Sequence, residues 1–467
     1  MIAPGPAAPA NAKPTHVRWF IVSVLFLVTT VNYADRATLS IVANDANFIK
    51  KFSLDPVTKG YLLGAFSVVY VALQIPGGWL LDRMGSNRVY RWSLLTWSFF
   101  TMAQGFVFGQ EHQFTIPRLF WAPLMMSGAV LMLFGLRLLL GAAEAPSFPA
   151  NSRIVAAWFP TAERGRAAAI FNSAQYFAIA LFNPLMGSIT HAWGWRCVFW
   201  IMGGLGLVLG LLWNKLIRNP REHPWANAAE VELIQRGGGL VDLDQRGSAA
   251  PKPATRPGLL LDLFKNRMLL GIFLGQYCVN GLTWFFLTWF PIYLVQERGM
   301  TILKASFMTT LPALCGFVGG VLGGWVSDQL LRNGRSHSAA RKIPIVAGLL
   351  LSSIIIACNY VDTQWAVIFF MSLAFFGKGI GSLGWSVMAD VAPKEATGLA
   401  GGLFNTCGNL AGIITPIVIG YILKSTGSFN GALVYVGAHG LMAVVGFVFI
   451  AGEFKRFELG PAATLPR

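Results

Sequence analysis

Twelve apolar runs, each long enough to cross a bilayer and joined by short charged connections, constrain this chain more than anything else in it. They lie at about 18–41, 58–81, 88–109, 125–148, 166–190, 196–217, 268–292, 304–327, 343–361, 364–389, 395–423 and 430–452. A helix needs roughly 20 apolar residues to span the hydrocarbon core. Only 12% of the residues are charged, against roughly 25% in an ordinary soluble domain. The 51 glycines suit close helix packing, and the 16 tryptophans suit anchoring at the headgroup level. The expected fold class is therefore an all-α membrane protein with twelve transmembrane helices.

One long polar stretch, about 218–266, divides the runs six and six. The expected organisation is a cytoplasmic tail (1–17), a six-helix bundle (18–217), a cytoplasmic linker (218–266), a second six-helix bundle (267–453) and a short tail (454–467). The Pro/Ala-rich start leads into the first run without a signal-peptide cleavage pattern. With both termini placed in the cytoplasm, 25 Lys and Arg fall on that side and 8 on the other. Three more (Arg36, Arg137 and Lys378) sit inside runs. Cytoplasmic loops carry the excess of basic residues, so both ends are expected there.

Several function classes are excluded. The net charge of +16 is spread in short bursts between apolar runs, unlike the single basic patch of a nucleic-acid footprint. Cys197, Cys278, Cys315, Cys358 and Cys407 stand singly with no ligand spacing. They read as small packing residues, and no metal or cofactor is expected. An enzyme is disfavoured because no Ser/His/Asp set or nucleotide loop occurs. A channel is disfavoured because the polar residues gather at mid-span instead of lining a continuous path.

The halves resemble each other. GGWLLDRMGSNR at 77–88 matches GGWVSDQLLRNGR at 323–335, and GRAAAIFN at 165–172 matches GLAGGLFN at 398–405. The two offsets differ by about thirteen residues, which places an insertion near 110–124, in a longer outer connection. Parallel six-span repeats with substrate held between them at the midplane are a transporter plan.

A charge at mid-bilayer costs about 2.5–3.5 kcal/mol on insertion scales and persists when paired, hydrated or useful. Asp35 and Arg36, in NYADRATLS, point about 100° apart on a helix. They are expected in an aqueous cavity with different partners, the alternative being that the span ends there. Arg137 and Glu144 are seven apart on one helix stripe. A fixed cation beside a titratable carboxylate suits anion-plus-proton transport, since Arg grips carboxylates bidentately and burial favours the neutral acid. The alternative is a structural ion pair. Lys378, in FFGKGIGSLGWSV, shares a face with Ser382 and Trp385, and the glycines at 377, 379, 381 and 384 are expected to leave open volume beside it. A lysine reaching a neighbouring carbonyl is the alternative. Tyr70, Gln74, Asn172, Gln175, Tyr277, Asn280, Asn405 and Asn409 are further polar candidates. Once Asp35 and Glu144 are protonated, the three cations leave a positive cavity suited to an anionic substrate.

These residues carry a family resemblance. The loop GGWLLDRMGSNR resembles that of the major facilitator superfamily. NYADRATLS, RLLLGAAEAPSFPANSRIVAAWFPTAERG and APKEATGLAGGLFNTCGN resemble its anion:cation symporter branch. From about 16 to 459 the chain most resembles bacterial glucarate/galactarate transporters. The resemblance implies a proton-coupled symporter of sugar diacids in the bacterial inner membrane, working by alternating access. A monocarboxylate carrier (galactonate, a hexuronate or an aromatic acid) is the alternative. It implies proton uptake by Asp35 and Glu144 and carboxylate binding by Arg36 and Arg137. Substrate contacts are implied for Tyr33, Tyr70, Gln175, Trp385 and Asn405, and a cytoplasmic gate of Asp82, Arg83 and Arg88. Lys378 is expected as the counter-charge for a second carboxylate. The partners are a small organic anion, protons and the bilayer, with a monomer expected.

Overall fold

A computed structural model describes residues 13–108, 113–116, 124–244, 259–393 and 397–458. Its main elements are twelve helical rods. In lipid each backbone N–H and C=O must be satisfied within the structure, and a helix does this inside one segment. Spans one to three are Val17–Val42, Pro56–Met84 and Ser86–Gln104. Span four joins Gly128–Glu144 to Ser147–Trp158, and span five runs over 164–193 with a π-helical turn at Ala178–Phe182. Span six is Trp195–Leu216. Span seven is Arg267–Thr288 continued by Phe290–Gln296, and span eight is Ile302–Arg332. Spans nine and ten are His337–Tyr360 and Gln364–Val391. Span eleven joins Thr397–Asn409 to Ala411–Thr426, and span twelve is Asn430–Ile450.

Among the described residues, ten of these are long and apolar enough to cross a membrane. Spans three and five are the more polar pair. Span three turns Ser98, Thr101 and Gln104 fully inward, and span five carries Arg164, Arg166, Asn172 and Gln175. The polarity of span three is spent inside the bundle, whereas that of span five is partly buried, with Arg166 exposed.

Span four differs from the sequence expectation at both ends. Span four begins at Gly128, not near 125, because Leu124–Ser127 pairs antiparallel with Gln113–Ile116 in a short two-stranded ladder, Gln113 opposite Ser127. This ladder occupies part of the longer outer connection; the rest of that stretch lies outside the described residues. Span four also continues to Trp158. Pro146 sits at a break in the rod, and Pro149 lies in the first turn of the next helix, where a missing N–H costs nothing.

Glycine sets how closely the rods approach. A Cβ on Gly141 would lie 2.1 Å from the Phe66 carbonyl oxygen, so spans two and four meet backbone to backbone. In the second half, a Cβ on Gly319 would collide with the Phe376 carbonyl oxygen and one on Gly379 with that of Gly316.

The two halves touch most closely at the end opposite the linker. There Gly60 of span two lies against Pro416 of span eleven, and Gly187 of span five against Ser306 of span eight. Tyr61 and Tyr421 share a hydroxyl contact of 3.1 Å, Asn183 Nδ2 donates to Thr309 Oγ1 at 3.1 Å, and Lys424 pairs with Asp55 at 3.3 Å. At the linker end each half holds its own charges. Arg153 bridges Asp82 of the first half and Asp244 of the linker, and Arg341 bridges Asp328 and Asp390 in the second half.

The glycine contacts give a controlled prediction. Gly141→Ala should lower the melting temperature of the purified protein by several degrees, in line with an overpacking cost of about 1–3 kcal/mol. Gly135→Ala, in the same helix with nothing within 4 Å of its Cβ, should leave it unchanged. Equal melting of the two variants would refute the close-contact account.

Candidate functional site

Span one positions the first part of the site. Asn32 and Arg36 are four apart on one face, and Asn32 Oδ1 accepts from Arg36 Nη2 at 2.8 Å. Arg36 Nε donates to Glu144 Oε2 at 2.9 Å. The guanidinium carbon also lies 4.7 Å from the Tyr33 ring, 4.8 Å from Phe66 and 4.7 Å from Tyr70. Phe66 and Tyr70 are one turn apart on span two and stack at 5.1 Å. A cation between aromatic faces is attracted by their quadrupoles, more so away from water. Gly141 makes this possible: by letting span four press onto Phe66, it brings Glu144, three residues later, onto Arg36.

Asp35 points elsewhere, towards Trp97 and Thr101 of span three, with Arg137 and Glu144 as its charged neighbours. Both its oxygens are buried without a hydrogen-bond partner. Asp35 and Arg36 thus meet different partners, but they are sealed, Asp35 at 0% and Arg36 at 2% exposure. The expected aqueous cavity is not around them in this conformation, because spans one, two, three and four close over both side chains.

Arg137 does not pair with Glu144. Its Nη2 donates to the Arg36 carbonyl at 3.3 Å, and its Nε and Nη1 have no hydrogen-bond partner among the described residues. Seven residues of separation put Arg137 and Glu144 on one stripe, but Arg36 from span one reaches the carboxylate first.

Lys378 in span ten crosses to the other half. Its Nζ donates to the Tyr176 hydroxyl of span five at 3.3 Å and lies 5.1 Å from that ring and 5.4 Å from Phe375. It is buried and makes no salt bridge among the described residues. The surrounding glycines do not leave open volume. Gly377 packs on the Gly348 carbonyl, Gly379 on that of Gly316, Gly381 on Leu349 and Gly384 on Gln276. Lys378 and Trp385 do not share a wall either, because the helix is interrupted between Gly381 and Gly384. Trp385 is instead half exposed and packs edge-on against Phe404 at 4.9 Å, while Ser382 bonds back to the Lys378 carbonyl.

The remaining candidates form a second set of links. Asn405 Nδ2 donates to Gln74 Oε1 at 2.8 Å across the halves, and Asn409 donates to Asn405 Oδ1 at 3.1 Å. Gln276 donates to Asn280 at 3.1 Å, and Tyr277 faces His439 at 5.7 Å. Gln175 Nε2 donates only to the Asn172 carbonyl of its own helix. At the linker end Asp82 pairs with Arg153, Arg83 lies over Trp79 at 5.3 Å, and Arg88 lines a separate surface pocket.

Sequence reasoning passed over Tyr176, Asn32, Phe66 and Arg153. A signal existed for Asn32, one turn before Arg36. None existed for Tyr176, whose meeting with Lys378 depends on how spans five and ten cross.

Chemically, the arrangement offers one cation already paired with a carboxylate and two buried cations, Arg137 and Lys378, without one. Removing one partner of a buried pair costs about 3–5 kcal/mol, whereas replacing both can be nearly neutral. Arg36→Met should therefore depress the melting temperature sharply, and Arg36→Met combined with Glu144→Gln should recover much of the loss. A double variant no more stable than the single would show that the pair is not the origin of the effect.

Comparison with known proteins follows this geometry. The family model described as "Major Facilitator Superfamily" matches residues 25–416. The Escherichia coli (strain K12) protein named "Probable galactarate/D-glucarate transporter GudP" is 55% identical over 458 residues, 98% of each chain. A "D-galactonate transporter" of E. coli O6:H1 is 40% identical over 451 residues, 96% of this chain and 99% of that one. The crystal structure of a D-xylose-proton symporter superposes with a TM-score of 0.68 at 16% identity, covering 94% of this chain and 98% of that one.

Proposed function

This chain belongs to the Major Facilitator Superfamily of membrane transporters, and on that premise we propose that it is a proton-coupled symporter of hexaric acids, D-glucarate and galactarate. One observation carries the diacid reading. Each half buries a cation that makes no salt bridge among the described residues, Arg137 in the first and Lys378 in the second. Such charges are costly unless an anion joins them. A dicarboxylate supplies one carboxylate to each, and its hydroxyls suit the amides of Gln74, Gln175 and Asn405 and the phenols of Tyr33, Tyr70 and Tyr176.

The proton carriers are Asp35 and Glu144. Glu144 holds Arg36 when ionised; a proton on Glu144 releases that guanidinium to join Arg137 at a substrate carboxylate. Asp35, buried beside Arg137, takes up a second proton. Two or more protons per dianion make entry neutral or electrogenic. Substrate and protons bind while the site faces outward, the halves rock, and loss of the protons inside re-forms the Arg36–Glu144 pair and expels the anion.

The excess of Lys and Arg on the linker side supports a cytoplasmic linker and termini in the bacterial inner membrane. The close contacts opposite the linker then make this the inward-facing state. For the cytoplasmic gate, Asp82 with Arg153 is the part we retain. Arg83 and Arg88, also implied by resemblance, meet Trp79 and the linker-side pocket instead.

A monocarboxylate reading has its own support in the 40% match to a D-galactonate transporter. Uptake of labelled glucarate into proteoliposomes, with and without an inward proton gradient, separates the two when galactarate, galactonate and glucuronate compete. Competition mainly by galactarate supports the diacid; equal competition by the monoacids removes it. Glu144→Gln should abolish gradient-driven accumulation and spare counterflow; accumulation that survives would remove Glu144 from proton coupling. Lys378→Met should weaken hexarate transport at least roughly ten-fold more than hexonate transport, a buried ion contact being worth more than 1.4 kcal/mol. Equal losses would make the lysine structural.

A further inference from the structure

A pocket of about 590 Å³ opens where spans three and six end on the linker side, and nothing in the transport cycle uses it. Three guanidiniums line it: Arg88 and Arg91 from span three and Arg218 just beyond span six. None makes a salt bridge among the described residues, and the Arg91 Nε is buried with no hydrogen-bond partner. The pocket's other polar groups are already engaged. Asp244 accepts from the Ser86 backbone at 2.7 Å, the Ser86 hydroxyl at 3.2 Å and Arg153 at 3.1 Å. Asn87 donates to the Ile217 carbonyl, and Asn219 donates to Glu222. Arg218 Nε donates to the Asn214 carbonyl at 3.0 Å, and the exposed Glu222 carboxylate also lines the pocket, so the three guanidiniums outnumber the two carboxylates there and keep donor capacity to spare.

The pocket also stands at the head of an apolar seam. Trp92 is one turn beyond Arg88 on span three and shares its face, and Leu211 lies in the last two turns of span six, the helix that leads to Arg218. Both are exposed, and a tryptophan at this level suits the headgroup boundary. We propose that this pocket binds the phosphate of an anionic phospholipid, with the acyl chains lying along the exposed faces of spans three and six. Guanidinium forks match phosphate oxygens bidentately, and basic pockets between helices on the cytoplasmic side suit such headgroups. A freely soluble phosphate has the same headgroup chemistry but no use for the apolar seam.

Native mass spectrometry of the full chain released from detergent, with phosphatidylglycerol or phosphatidylcholine added, tests the proposal. The wild type should retain phosphatidylglycerol over phosphatidylcholine by roughly five-fold or more for each arginine engaged. Arg91→Gln with Arg218→Gln should lose that preference, while Arg332→Gln with Arg335→Gln, an equal charge change at the end of span eight, should keep it. Should the first double variant not fold, Arg218→Gln alone, outside the helix, is expected to lose about half of the preference on a logarithmic scale. No preference in the wild type, or the same preference in the pocket variants, overturns the proposal. Displacement of the lipid by inorganic phosphate at about ten millimolar also overturns it, since the site would then serve a soluble anion whose affinity owes nothing to the seam.

Discussion

The buried contact between Arg36 and Glu144 is the interaction on which the first half of the molecule is built. Taking two ions out of water costs several kcal/mol each, which attraction repays only with good geometry and further bonds. Here the repayment comes from four directions: the Glu144 carboxylate, the Asn32 amide, and the rings of span one and span two around the guanidinium. The contributions come from three helices, so the pair forms only when spans one, two and four are docked. The carboxylate also ends the first helix of span four, immediately before the break at Ala145 and Pro146. A change in the charge of Glu144 is therefore felt where the rod can bend.

The second half is arranged differently. Its buried cation has a phenol for a partner, and that phenol belongs to the other half. Together with the Asn405–Gln74 bond, this puts cross-half polar contacts at mid-span, where the closure far from the linker gives way to separate charge networks in each half. A site made from both halves changes shape whenever they move relative to each other. An anion bound there would hold them together. On the function proposed above, this is how occupancy would be coupled to movement.

Much of this was legible in the chain. Hydropathy placed twelve rods and the division between them, because lipid imposes the same length requirement on every span. The charges that matter were visible as exceptions to that requirement, and Asp35, Arg36, Arg137, Glu144 and Lys378 all lie buried. The glycines around Lys378 were misread as space. A missing Cβ can mean a cavity or a neighbouring backbone, and only the packing of spans eight and nine against span ten distinguishes them. The helix phase from Lys378 to Trp385 failed for a related reason: a run of small residues hides a break that hydropathy does not register.

The sequence by itself determined that this is a two-fold repeated bundle in lipid with five charges inside its spans, since composition and periodicity are properties of the linear chain and the bilayer. Only the tertiary structure decided which charges are partners. Arg36 rather than Arg137 holds Glu144, Asp35 stands without a bond, and Lys378 leans on Tyr176. A charge pair is made over a few ångströms, and the azimuth and crossing of separate helices, set by glycine contacts far apart in the chain, determine which side chain covers that distance.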